Sequence, residues 1–265
     1  MKSFLETLAQ RKYDLASEIN AIEDLFKRDG YRSIRSLFAG KFLSWPLRNN
    51  YVDLDCFLSN TGLEAIIRKA DRGTNITIDE YIFYAEYALN VLLYFRRIRS
   101  LDAIRPAIEN IKNVLNQLNY KIHSDENQNA RIIPNDVLIS EAAEIAQDTY
   151  GLGESIYAYN YRQLSGDLNA KSDILCRLYK YYETIENQAK QYGFNTLAED
   201  VSHLSNKLNV RHAASPKQQI VLGDMTQKEI EEWYDELFRL YLSLIVLVDY
   251  KSKRKDINEL KAKLG

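Results

Sequence analysis

The chain has 265 residues, of which 46% are apolar and 27% charged, with a formal net charge of −2. That length suits one large domain or two smaller ones, and that hydrophobicity excludes a disordered chain. The near balance of 35 basic and 37 acidic residues gives no global basic character of the kind that announces nucleic-acid binding, although it leaves a local patch open.

Only 10 glycines and 4 prolines punctuate the chain, which favours long helices over the many turns of a sandwich or barrel. The expected fold is therefore an all-α multi-helix bundle, in two helical lobes with a small β-hairpin or loop between them. The most apolar run, Leu240 to Val248, falls well short of the roughly 20 residues of a membrane span. Met1 to Glu6 lacks an apolar core and carries an early acid, so no signal peptide and a cytoplasmic location are expected. Cys56 and Cys176 lie far apart in apolar stretches, as two small buried hydrophobes in a reducing compartment would.

Along the chain, Phe4, Leu8, Leu15, Ile19, Ile22 and Phe26 mark an amphipathic first helix ending at Asp29-Gly30. A shorter helix covers Ser33 to Phe42 and stops at Trp45-Pro46; Leu47 to Asn60 reads as loop with one helical turn. Thr61-Gly62-Leu63-Glu64, Thr77-Ile78-Asp79-Glu80 and Thr226-Gln227-Lys228-Glu229 all have the form of a capping box. Helices follow over Ile78–Arg99 and Asp102–Leu118. Arg96, Arg97 and Arg99 close the first of these, either as a solvated helix end or as a phosphate-binding patch.

Residues 1–120 thus form an N-terminal lobe, 121–134 a hairpin or loop connection, and 135–265 a C-terminal bundle. In that bundle one helix starts near Asn135-Asp136 and breaks at Gly151-Leu152-Gly153. A second carries Ile156, Tyr159 and Tyr161, and a long one runs from Leu168 to about Gln191. Another starts at Asn195 or Thr196 with Leu197, Val201, Leu204 and Leu208 inward. The last runs from Gln227 to Tyr250, with Lys251 to Gly265 as a frayed extension.

Chemistry has few places to go. Of three histidines, His123 reads as a surface residue, while His203 and His212 bracket a polar cluster of Asn206, Lys207, Asn209 and Arg211. An imidazole can act as general acid or base and a guanidinium can hold a phosphate or oxyanion. The competing reading is a helix C-terminus with Asn as its left-handed stop and Arg and His on orphan carbonyls. Glu141, Glu144 and Asp148 share a helix face, yet no histidine spacing supports a metal site, and no phosphate-binding loop or nucleophile elbow occurs. No metal or cofactor is expected.

The stretch Asn206 to Ala213, followed by Glu232-Trp233-Tyr234-Asp235-Glu236-Leu237, resembles bacterial all-α proteins in which an Asn-x-Arg-His turn precedes a helix with a Trp-Tyr-Asp-Glu motif. The block Tyr159-Asn160-Tyr161 to Gly166-Asp167-Leu168-Asn169-Ala170-Lys171 fits the same pattern. More distantly, residues 135 to 250 resemble the HEPN superfamily, helical bundles of abortive-infection, toxin–antitoxin and other bacterial conflict systems.

The resemblance implies an antiviral-type protein that binds or cleaves RNA without metal through the ribose 2′-hydroxyl. His212 would be acid/base, Arg211 the phosphate or oxyanion contact, and Asn206, Lys207 and Asn209 substrate-binding groups. Active members dimerise, and a tyrosine-rich bundle with an apolar last helix is itself compatible with a homodimer. They carry Arg-x(4–6)-His, whereas here Arg211 and His212 are adjacent and only Lys207 stands five residues before His212. Adjacent side chains on a helix point about 100° apart, so Arg211 and His212 converge only outside helical geometry. The alternative is a non-enzymatic helical scaffold or adaptor with a protein partner.

Overall fold

The computed structural model describes residues 14–28, 30–98, 104–147, 151–211, 223 and 225–264, and these are overwhelmingly helical. The chain divides into two compact units, Met1–Ile132 and Ile133–Gly265. The boundary falls inside the segment 121–134, so most of the hairpin belongs with the first unit.

In the first unit, α1 (Leu15–Lys27) is capped by Asp14, whose carboxylate accepts from the backbone of Ala16 and Ser17. Its inward stripe is Ile19, Ile22, Glu23 and Phe26; the expected positions Phe4 and Leu8 lie outside the described residues. α2 (Ile34–Lys41) follows from a Ser33 cap. α3 (Leu54–Asn60) occupies the second half of the stretch 47–60 that the sequence suggested was loop with one helical turn, and α4 (Leu63–Asp71) follows it.

α5 (Ile78–Ile98) is the central helix. It buries Tyr81, Tyr84, Ala85, Ala88, Leu89 and Leu92, and packs against α1, α4 and α6 (Ile104–Gln117). Aromatic edges around Phe38, Phe42, Trp45 and Phe57 close one side of this core.

The capping boxes divide. Thr77 and Glu80 exchange both bonds, as do Thr226 and Glu229. Thr61 does not: Gly62 with φ +82° sits at the start of α4, and the Thr61 hydroxyl donates back to the Phe57 carbonyl at the end of α3. The preceding helix reaches this threonine first and takes its hydrogen bond. Cys56 is exposed rather than buried, because it lies in the first turn of α3 on the side away from Leu54, Phe57 and Leu58. Cys176 is half-buried and donates to the Val210 carbonyl. His123, in β1, is half-buried.

β1 (Tyr120–Ser124) and β2 (Ala130–Pro134) form one two-stranded sheet latched to α5. Asn90 accepts from the Ala130 N–H and donates to the Ala130 carbonyl, both at 2.9 Å. Glu86 accepts from the Ile132 N–H at 3.0 Å and pairs with Arg131, which also reaches Asp125 at 3.1 Å. Burial works to raise the Asp125 pKa. It is outweighed by the Asn129 backbone and side-chain N–H groups and by Arg131, so this carboxyl sits below its usual range.

In the second unit, α7 (Val137–Ile145), α8 (Leu152–Tyr159), α9 (Leu168–Gln191), α10 (Asn195–Lys207) and α11 (Gln227–Leu264) form a bundle. α9 and α11 pack along each other, α7 and α10 lie on α11, and α8 joins α7 to α9. At Gly153 a Cβ would stand 2.6 Å from the Ala143 carbonyl oxygen, so only glycine lets α7 and α8 approach this closely. On α10 the buried residues are Ala198, Val201 and Ser205, with Leu208 buried at its C-cap, while Leu197 and Leu204 are half-buried beside them. The helix of the expected frayed tail continues unbroken to Leu264.

Asn90→Ala leaves the buried Ala130 N–H and carbonyl without their partner. It should destabilise the first unit by about 1–3 kcal/mol in urea unfolding, with faster amide exchange at Ala130 and Ile132.

Candidate functional site

The cluster singled out by sequence sits where α10 ends. The Asn209 N–H bonds to the Asn206 carbonyl at 3.4 Å and the Val210 N–H to the Ser205 carbonyl at 2.9 Å, the paired bonds of a Schellman terminus. Asn209 supplies the required left-handed residue, with φ +56°. Val210 after it is buried, pinning the chain to the core.

Arg211 is exposed, and its guanidinium lies 5.6 Å from the centroid of the Tyr179 ring, within cation–π range. Lys207 is exposed and Asn206 half-buried. The Asn209 Oδ1 is buried with no hydrogen-bond partner among the described residues. Asn206, Lys207, Asn209 and Arg211 are thus brought to one helix end, and His203 stands exposed one turn earlier. His212 lies outside the described residues, so its distance to Arg211 is not part of this geometry.

A second polar constellation lies in the same unit. Tyr159 ends α8 and stacks its ring flat on Phe238 of α11, with centroids 3.9 Å apart and planes 7° from parallel. Its hydroxyl donates to Asp235 Oδ1 at 2.9 Å. The ammonium of Lys171, from the first turn of α9, donates to the same oxygen at 2.7 Å and to Glu231 Oε1 at 2.8 Å. It also lies 4.9 Å from the Tyr159 ring centroid. Gly166, with φ +79°, turns its N–H onto Glu231 Oε1 at 2.8 Å.

The Gly166 N–H, and after it Lys171, hold Glu231 below the usual carboxylate range. Burial, then the Asp235 charge, pushes the Tyr159 hydroxyl well up, so it stays protonated.

This network forms one wall of a cleft of about 280 Å³ whose lining includes Asn160, Arg162, Ser165 and Arg239. Asp235, Phe238, Arg239 and Leu242 line it because steps of three and four bring them to one face of α11. Arg239 is exposed and has no ion-pair partner among the described residues.

Sequence reasoning quoted the Tyr159, Lys171 and Trp233–Glu236 blocks without giving them a role. The available signal was Lys171 itself. It continues the Ile174, Leu175, Leu178, Tyr182 stripe of α9 at helical spacing, and a lysine on such a stripe requires buried acid partners.

In the first unit Arg96, Arg105, Glu109 and Lys112 border a separate hollow of about 330 Å³, with Lys112 paired to Glu109 at 3.0 Å. Arg99 lies outside the described residues. Glu141 and Glu144 are exposed on α7, Asp148 lies outside the described residues, and among the described residues no group of three or more His, Cys, Asp or Glu is placed to hold a metal ion. No described helix is long and apolar enough to cross a membrane.

Lys171→Met strands Glu231 and Asp235 beside an apolar wall. Losing one partner of a buried ion pair costs about 3–5 kcal/mol, and less here because the Asp235 side chain is 48% exposed. A loss of roughly 2–3 kcal/mol in the second unit is expected from chemical unfolding. Because the Glu231 pKa is lowered on folding, its contribution is present above the unfolded value near 4.3 and is lost as pH falls through the folded value. Glu231→Gln should flatten the stability–pH profile in that acid window.

No protein-family model matches the chain, and comparisons with curated proteins and with solved structures found no match either.

Proposed function

We propose that the protein is a non-enzymatic helical adaptor that takes up an acidic segment of a partner protein in the cleft of its second unit. The observation that carries this reading is convergence. Arg162, Lys171 and Arg239, from three different segments, border one hollow with the neutral donors Asn160 and Ser165. Lys171 is already matched by Asp235 and Glu231, and Asp136 in the same lining is taken up as the cap of α7 by the Leu138 N–H, so the exposed Arg239 sets the sign of the preferred ligand. A planar guanidinium suits a carboxylate through two parallel hydrogen bonds. Asp235 carries two hydrogen bonds on one oxygen and Tyr159 is held protonated, which suits rigid recognition better than proton transfer.

Fluorescence anisotropy with a labelled oligoglutamate peptide and a labelled single-stranded RNA tests the choice of ligand. The peptide should bind the wild type and lose about tenfold in affinity in Arg239→Ala, the scale of one charge-assisted hydrogen bond. Equal peptide binding by wild type and variant overturns the reading.

A second reading is a HEPN-like RNA-binding or RNA-cleaving protein of a bacterial defence or toxin-type system, with His212 as acid/base and Arg211 as phosphate contact. Asn206, Lys207 and Asn209 would hold the substrate. It is favoured by one observation: α10 stops at Lys207, so Arg211 is free of the helical spacing that would splay it from its neighbour. Inducing wild type, Arg211→Ala and His212→Ala in bacteria tests it through growth and total RNA integrity. Toxicity with RNA breakdown, lost in either folded variant, is the expected result; unimpaired growth with intact RNA counts against it.

A further inference from the structure

α11 is 38 residues long, whereas its main packing partner α9 has 24. Its inward residues run from Tyr234 to Val248, and beyond Val248 no described side chain of α11 is buried. Over these last four or so turns the described side chains are exposed or at most half-buried, and a helix of that length is marginal in water on its own. On it Ile257, Leu260 and Leu264 are exposed, Leu264 by 78%.

Ile257 and Leu264 continue a longer stripe on the outward side of α11. Positions 233, 236, 240, 243, 247, 250, 254, 257, 261 and 264 follow each other at alternating steps of three and four, the spacing of a coiled-coil seam. None of the ten is buried: Leu240, Ser243 and Leu247 are half-buried and the others exposed. Trp233, at the far end, is itself an exposed large aromatic.

Charge is polarised along the same helix. Residues 227–236 carry five acidic side chains and one basic, and residues 251–264 carry six basic and two acidic. Two such helices side by side in the same direction would oppose like charge at both ends. Side by side in opposite directions, each acidic start meets a basic end.

We propose that the outward face of α11 is an interface for a second copy of this chain, paired antiparallel so that the numbers of facing residues sum to 497. In that register Trp233 faces Leu264, Leu240 faces Ile257 and Leu247 faces Tyr250. Between these apolar pairs Glu236 faces Lys261 and Ser243 faces Arg254. Every apolar member of the stripe meets an apolar one, and its one acid meets a base. The seam spans 32 residues, about 48 Å at 1.5 Å per residue, and the two-fold axis passes between Leu247 and Tyr250. The basic end rules out a tail-to-tail pairing centred on Ile257, which would set Lys253 opposite Lys261.

Analytical ultracentrifugation of the full chain tests this proposal. The wild type should sediment as a dimer, and Ile257→Asp, which alters an exposed side chain, should weaken dimerisation at least about tenfold while leaving the helical circular dichroism unchanged. Glu236→Lys and Lys261→Glu should each weaken the dimer, and the double variant should restore it, since only the antiparallel register brings these two positions together. A monomeric wild type at tens of micromolar, a dimer indifferent to Ile257→Asp, or failure of the double charge exchange to restore pairing would each overturn it.

Discussion

The ammonium of Lys171 is the constraint around which the second unit is arranged. It sits at the start of α9 with 7% of its side chain exposed, and a charge so placed must be matched on the spot. Glu231 and Asp235, one turn apart on α11, supply the match, and both oxygens involved are shared. Glu231 also takes the Gly166 N–H, which fixes the turn leading into α9, and Asp235 takes the Tyr159 hydroxyl, which fixes the end of α8. One buried charge thereby sets the register of three elements that have no backbone hydrogen bonds in common. Removing either acid takes a hydrogen bond from the ammonium and at the same time strands the Gly166 N–H or the Tyr159 hydroxyl, so the network acts as a unit and its members do not contribute additively.

The first unit solves a related problem with different groups. A two-stranded hairpin is marginal in water, so it must borrow hydrogen bonds from a neighbour. Asn90 offers its amide as a surrogate strand to Ala130, and Glu86, one turn earlier on α5, receives the Ile132 N–H. Arg131 then bridges Glu86 and Asp125, tying the hairpin turn to the helix. Glu23 does the same between α1 and α5. It is 1% exposed, it accepts from Tyr84 and it pairs with Arg35. Both units thus place acids on helices to tie down neighbouring segments that apolar packing alone would leave free to slide.

Much of this was legible from periodicity and punctuation. The 3.6-residue stripes located α1, α9 and α10, a capping box marked the start of α5, and the change of pattern after Asn119 marked the hairpin. Local motifs were read correctly at Thr77, which follows a loop, and at Thr226, both of which form their boxes. Thr61 directly follows α3 and is claimed by it. Cys56 misled because an apolar neighbourhood in sequence includes the outward face of a short helix. Charge partners were the hardest to see, since Lys171 and Asp235 are 64 residues apart and only the packing of α9 on α11 makes them neighbours.

The cluster at Asn206–Arg211 shows how one local geometry serves two functional readings. Asn209 in the left-handed region ends α10 and satisfies its last carbonyls, which is sufficient reason for an asparagine at that position. The same stop releases Arg211 from helical spacing, and the Tyr179 ring then holds its guanidinium at the surface. A helix terminus that merely needed satisfying would have no use for an exposed, ring-supported arginine beyond it. The cleft beside Lys171 has its orienting groups locked by packing and by hydrogen bonds from three segments. That rigidity is what recognition requires, and it is why the adaptor reading takes precedence over the ribonuclease.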